Sequence, residues 1–238
     1  MAMEDRIISD IRADLRSSVD EKTKNGFRRF FKEDVKCYGV KTPDVEKIAK
    51  KHFEEVRGKN KKEVFNICEK LLKSDFHEEA IIAFEWAYSL RKYYDENDFG
   101  MFERWIERYV NNWAKCDTLC NHTVGAFIER FPQYVASLKT WTKSDNRWLR
   151  RASAVSLIVP AKKGMFLDDV FEISSNLLKD KDDLVQKGYG WLLKEASKLH
   201  QDEVFEYVMK NKGEMPRTAL RYAIEKLPRN LRDAAMKK

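Results

Sequence analysis

The chain has 238 residues, 43% apolar and 36% charged, with a formal net charge of +7. That is enough apolar material to bury a core in one sizeable domain or two small ones. No apolar run is long enough to span a bilayer. The four cysteines lack the spacing of a disulfide framework, which points to a reducing, cytoplasmic setting.

Only 9 Gly and 5 Pro interrupt the chain, so few breakers oppose helix formation. The opening stretch MAMEDRIISDIRADLRSS carries acids and no apolar h-region, unlike a secretory leader. Within it, IISDIRADL has apolar residues at helical spacing. VEKIAKKHFEEV repeats the pattern, opened by Thr42-Pro43 with proline at the first helical position. EVFNICEKLLK, AIIAFEWAYSL, FERWIERYV and TVGAFIERF follow. Ser144-Asp145-Asn146 supplies a cap before RASAVSLIV, and VFEISSNLL, GWLLKEASKL, VFEYVMK and ALRYAIEKL complete the series. RDAAMKK, about residues 232–238, reads as a loose tail. No strand or hairpin signal stands out.

Roughly a dozen short helices with brief links, pairing at a period of roughly forty residues, fall in the range of HEAT-like repeats. The expected fold is therefore all-α: one domain over 1–238, an α-solenoid of stacked antiparallel helix pairs with a concave, basic face. An irregular helical globule is the alternative.

Charge is uneven along the chain. Lys139 to Lys163 contains seven basic residues and one acid, Asp145. Such a cluster attracts polyanions, or it is simply a solvated helix end. Arg147 and Arg151 lie one turn apart at a helix start, where cations are unfavourable, so an anionic partner is expected. In VQKGYGWLLKEASK, Trp191 lies with Lys187, Lys194 and Lys198 opposite the apolar face of Val185, Tyr189, Leu192 and Ala196. Either a neighbouring repeat covers this tryptophan under lysine stems, or it is an aromatic platform inside a phosphate-binding stripe.

NNWAKCD places Trp113 one helical turn before Asp117. Asp117 could cap a nearby amide. Alternatively its carboxylate faces a developing positive charge, with Trp113 as a dry wall, as oxocarbenium-like cleavage of a glycosidic bond requires. Cys116, Cys120 and His122 lack a fourth ligand and the usual zinc spacing, so buried free cysteines are the better account. No metal and no cofactor is expected, and no nucleotide fingerprint or Ser-His-Asp signature is evident.

With these residues in view, the sequence resembles the AlkD-type alkylpurine DNA glycosylases. The resemblance rests on YGVKTP (38–43), Trp113 to Asp117, SDNRWLRRA (144–152) and QKGYGWLLKEASK (186–198), in order along the chain. It implies a HEAT-like solenoid that binds duplex DNA as a monomer. It implies excision of cationic N3- and N7-alkylated purines without flipping the lesion into a pocket, leaving an abasic site. In that scheme Trp113 and Trp191 contact the deoxyribose, Asp117 stabilises the cationic sugar and places water, and Arg151 holds the backbone. Lys41, Thr42, Arg147, Arg150, Lys187 and Lys194 are the expected DNA contacts. Phe30 stands where some members have a tyrosine; it keeps an aromatic wall and loses a hydroxyl. The competing readings are a non-catalytic nucleic-acid-binding repeat protein and a protein-binding scaffold.

Overall fold

The computed structural model describes residues 3–237, except the side chain of Arg28. In chain order its α-helices are α1 (Met3–Ser17), α2 (Glu21–Phe30), α3 (Thr42–Val56), α4 (Lys61–Leu72), α5 (His77–Ser89), α6 (Asp98–Tyr109) and α7 (Trp113–Thr118). After a π-helix, Leu119–Val124, come α8 (Gly125–Arg130), α9 (Val135–Trp141), α10 (Arg147–Val155), α11 (Ile158–Lys162) and α12 (Leu167–Asn176). The series ends with α13 (Asp183–Ala196), α14 (Gln201–Asn211), α15 (Arg217–Ala223) and α16 (Arg229–Met236). No strand occurs among the described residues.

Local sequence explains where the helices begin. Asn60 and Glu63 form a reciprocal capping box at α4. Asp20, Asn146 and Asp182 each accept backbone N–H bonds at the starts of α2, α10 and α13. Pro43 occupies the first turn of α3, where its missing N–H costs nothing.

The chain packs as two compact units. The first runs from the start of the described chain to Asp98 and includes Arg108–Thr118; the second comprises Phe99–Glu107 and everything from Leu119 onward.

In the first unit, Ile7, Ile11 and Leu15 of α1, Ile67 and Leu71 of α4, and Ala83 and Trp86 of α5 are fully buried. The Trp86 indole N–H donates to the Ala49 carbonyl at 2.8 Å. Two buried acids tie the 38–40 segment to α5. The Glu78 carboxylate accepts the backbone N–H groups of Tyr38, Gly39 and Val40 at 2.8–3.1 Å. Glu79 takes both prongs of the Arg12 guanidinium at 3.0 Å and the Tyr38 hydroxyl at 2.7 Å. A buried carboxylate survives only with such partners. Gly39, at φ 92°, adopts a conformation that a side chain would strain.

In the second unit, α13 carries the core. Val185, Tyr189, Leu192 and Ala196 are all buried, the face its periodicity predicts. Gly190 allows the close approach of α15: a Cβ there would lie 2.7 Å from the Tyr222 Cβ and 2.8 Å from the Ala219 carbonyl. Phe99 stacks on Trp141 with centroids 5.4 Å apart, and the Trp141 indole donates to Glu103 at 2.5 Å.

Inside each unit, side-chain bonds recur at nearly constant separation. Trp86 with Ala49 and Lys61 with Asp98 are 37 positions apart; Trp141 with Glu103 is 38, and Arg147 with Asp182 is 35. That spacing is how successive helix pairs stacked in register announce themselves, and it places the chain in the α-solenoid class expected from its sequence. The C-terminal end differs from expectation. Residues 229–236 form α16 rather than a loose tail, because Ala235 is buried and the Lys212 amine bonds the Ala234 and Lys237 carbonyls.

The two central glycines of α13 should respond differently to substitution. Gly190→Ala should cost about 1–3 kcal/mol by overpacking against α15. Gly188→Ala, whose Cβ would sit at ordinary contact distance, 3.5 Å from the Arg151 Cγ, should be neutral or slightly stabilising. Urea midpoints of the two variants test this.

Candidate nucleic-acid interface

Trp113 and Asp117 both lie on α7, in the first unit, one turn apart and each partly exposed. The start of the helix is set by Asn112, whose side-chain oxygen accepts the Lys115 backbone N–H at 2.9 Å. Asp117 is thus not the N-cap residue of its own helix. Six residues in π-helical conformation follow directly, Leu119–Val124, a feature that often marks functional positions.

Lys115 anchors α7. Its side chain is 1% exposed, and its amine binds the Asp75 carboxylate at 2.8 Å and the Asp75 carbonyl at 3.2 Å. Asp75 sits in the left-handed region at φ 63° and also accepts the Asn111 amide at 2.8 Å. Burial pulls the Lys115 pKa down, with Asp75 opposing that shift. Nothing in the local sequence marks this link. Its one signal was the repeat period, since Asp75 and Lys115 are 40 positions apart.

Aromatic rings surround Trp113. Phe30 meets it edge-on at 5.4 Å and Phe31 lies tilted at 5.6 Å. Behind them, Phe27 and Phe31 pack on the buried His77 ring at 5.1 and 5.7 Å. Two of the residues expected at the site, Phe30 and Trp113, are therefore in contact, and Phe30 is 67% exposed. Lys41 and Thr42 are exposed at the start of α3, where the Lys41 amine pairs with Asp20 at 3.2 Å.

The remaining expected residues lie in the second unit, on α10 and α13. Arg151 is buried; its guanidinium donates to the Leu184 carbonyl on α13 and packs on Gly188. It thereby fixes the helix that carries Trp191, which is itself half-buried. The anionic partner expected for Arg147 is internal: Asp182, at 2.8 Å. Arg147 also lies over the Trp148 ring at 4.9 Å. Arg150 pairs with Asp180 at 2.7 Å and holds the Ser144 and Asp145 carbonyls. Lys187 pairs with Asp183 at 3.1 Å; Lys194 pairs with Glu225 at 3.1 Å and lies over Tyr222. A phosphate reaching these cations would have to share or displace a carboxylate. The four cysteines are free thiols, and no cluster of metal-ligating side chains is found among the described residues.

His77 makes the first unit sensitive to acid. Burial, reinforced by the Lys115 charge, pushes its pKa down to about 4. The unfolded chain, with a histidine pKa of about 6.5, then binds more protons between those values, and folding weakens as pH falls through that window. Glu85 opposes it: burial and Glu46 raise its pKa to about 7, so its contribution grows on acidification. His77→Phe keeps the ring packing and removes the first effect alone. Relative to the intact chain, the variant should gain about 3 kcal/mol between pH 7 and pH 4, read from denaturation curves.

A search of curated proteins returns no match. The fold is shared with a predicted DNA alkylation repair enzyme from Enterococcus faecalis, at a TM-score of 0.80 and 15% identity, covering 89% of this chain and 98% of that one. The structure of smu.31 from Streptococcus mutans UA159 is similar at a TM-score of 0.59 and 18% identity, covering 76% and 91%. The family model described as DNA alkylation repair enzyme matches residues 11–227. This chain is accordingly a member of the DNA alkylation repair enzyme family.

Proposed function

We propose that the protein is a monofunctional DNA glycosylase that releases N3- and N7-alkylated purines from duplex DNA. The observation that carries the reading is the Trp113–Asp117 pair on an anchored helix, within a family of DNA alkylation repair enzymes.

Alkylation at N3 or N7 leaves the purine cationic. When the C1′–N9 bond breaks, its electron pair moves onto the purine and neutralises it, and the positive charge passes to the sugar. No general acid is needed for such a leaving group, unlike an ordinary glycoside. The Asp117 carboxylate stabilises the oxocarbenium-like sugar. Water then adds at C1′ and gives up a proton to Asp117 and on to solvent. A carboxylate fixed beside a developing charge is worth a few kcal/mol, or about two to three orders of magnitude in rate.

Trp113, with Phe30 against its edge, supplies the dry wall that strengthens this electrostatic term. The resemblance to the AlkD-type glycosylases assigns Trp191, on α13, to deoxyribose contact as well. Arg151 steadies the helix of Trp191 and adds a fixed positive charge for the DNA backbone. Lys41, Thr42, Arg147, Arg150, Lys187 and Lys194 are assigned to phosphates. All these parts engage sugar and backbone rather than a base edge, which supports excision without base flipping. Lys115, two residues before Asp117, is buried and engaged by Asp75, so it is not a Schiff-base nucleophile, and an abasic site is the product.

Base release from a duplex carrying one N7-methylguanine tests the reading. The intact protein should release the base, and Asp117→Asn should lower the single-turnover rate by about 100- to 1000-fold with DNA affinity retained. Equal rates for the two proteins would remove Asp117 from the chemistry.

A further inference from the structure

A cavity of about 430 Å³ opens in the first unit, walled by Lys24 and Phe27 of α2, by Phe31, and by residues 32–37 of the segment that leads to α3. Its size falls within the roughly 300–1,000 Å³ of small-molecule sites. Trp113 and Asp117 are not among its walls, so it is separate from the pair assigned to the chemistry.

Two kinds of wall meet there. Phe27 and Phe31 stand 5.5 Å apart, tilted by 38°, and both pack on the uncharged His77 ring, which holds them in place. Aromatic faces of this kind take a flat ring by offset stacking. Beside them, residues 34–37 run without regular structure. The far end of that run is fixed, because the Lys36 carbonyl accepts the His77 backbone N–H at 2.8 Å and Glu78 accepts the Tyr38 N–H at 3.0 Å. Yet the backbone N–H and C=O groups of Asp34 and Val35 have no hydrogen-bond partner among the described residues. A held backbone edge with open donors and acceptors, next to stacking rings, suits the edge of a flat nitrogen heterocycle.

The charges at the walls select against an ion. Lys24 and Lys32 are balanced by Glu33 and Asp34. The Lys36 ammonium is drawn off to the Ser74 carbonyl at 3.0 Å and lies over the Phe76 ring at 4.3 Å. A phosphate would meet two carboxylates here, and a cation would meet two ammonium groups; a neutral ring meets neither penalty.

We infer that this cavity binds a free nucleobase, a neutral planar heterocycle of the class that the proposed reaction releases. The ring stacks on Phe27 or Phe31, and its edge pairs with the backbone of Asp34 and Val35. Phe31 also lies 5.6 Å from Trp113, so an occupied cavity touches the wall of the proposed site and the released base acts as a product inhibitor. The identity of the base as product rests on the glycosylase reading above.

The test is equilibrium dialysis of free 3-methyladenine against the full chain, with indole as a flat apolar probe of similar shape. The base should bind, and indole should bind roughly 10-fold more weakly or worse, because it cannot satisfy the backbone edge. Val35→Trp, which fills the cavity, should weaken base binding roughly 10-fold or more and leave single-turnover base release unchanged. In steady-state turnover, added 3-methyladenine should slow the intact chain and not the variant. A second measurement needs no variant: backbone amide NMR shifts of the intact chain on adding the base should centre on Phe27, Phe31, Asp34 and Val35. No binding, equal affinity for indole, unchanged affinity in a folded Val35→Trp, or shifts centred elsewhere would overturn the inference. Failure of the glycosylase reading shows separately, as no base release by the intact protein, since binding of the free base requires no turnover.

Discussion

A lysine buried to 1% exposure is the constraint around which the first unit is organised. Removing an ammonium from water costs several kcal/mol unless a partner meets it, and Asp75 meets Lys115 with both a carboxylate oxygen and a carbonyl. The partner itself is costly to hold, since Asp75 occupies the left-handed region. The two costs are compensated in one place, and the result is that the first turn of α7 has a single position relative to the loop before α5. Asn111 and Asn112 add to the same arrangement, one by bonding Asp75 and one by capping the helix. Trp113 and Asp117 are carried on that turn and the next.

Around this anchor the unit separates a dry side from a wet one. Phe27, Phe31 and the uncharged His77 ring back Trp113, while Phe30 remains exposed at its edge. A carboxylate beside such a wall interacts with a nearby cation more strongly than it would in open water. The second unit follows a different logic. There Arg147, Arg150, Lys187 and Lys194 are threaded into pairs with Asp182, Asp180, Asp183 and Glu225, and Arg151 is turned inward onto α13. Formal charge counted along the sequence therefore overstates the cationic surface of that unit.

The helices were legible because each buries a face at helical spacing, as α13 does with Val185, Tyr189, Leu192 and Ala196. The repeat period was legible too, and it reappears in the separation of the stacking bonds. The Trp113–Asp117 pair could be read because residues four apart on one helix are neighbours in sequence as well as in space. Links between repeats could not be read. Nothing near Lys115 announces Asp75, and nothing near Arg147 announces Asp182, since each partner stands 35 to 40 positions away. Glu78 and Glu79 open their helix as acids commonly do, and nothing in the sequence marks their partners at 12 and 38–40. α16 was missed because its burial rests on a single alanine rather than on an apolar stripe.

The buried Lys115–Asp75 link holds α7 in place, and with it the Trp113–Asp117 pair of the proposed glycosylase site. The most direct measurement is the single-turnover rate of base release by Asp75→Ala, taken together with its affinity for the same duplex. If the link positions the proposed site, the rate falls about 10-fold or more with affinity within about twofold, as when a remote residue misplaces a reacting group. Asp75→Asn, which tolerates the left-handed backbone and keeps an oxygen for Lys115, should restore part of the rate. Release by Asp75→Ala at the rate of the intact protein would show that the link does not position the site.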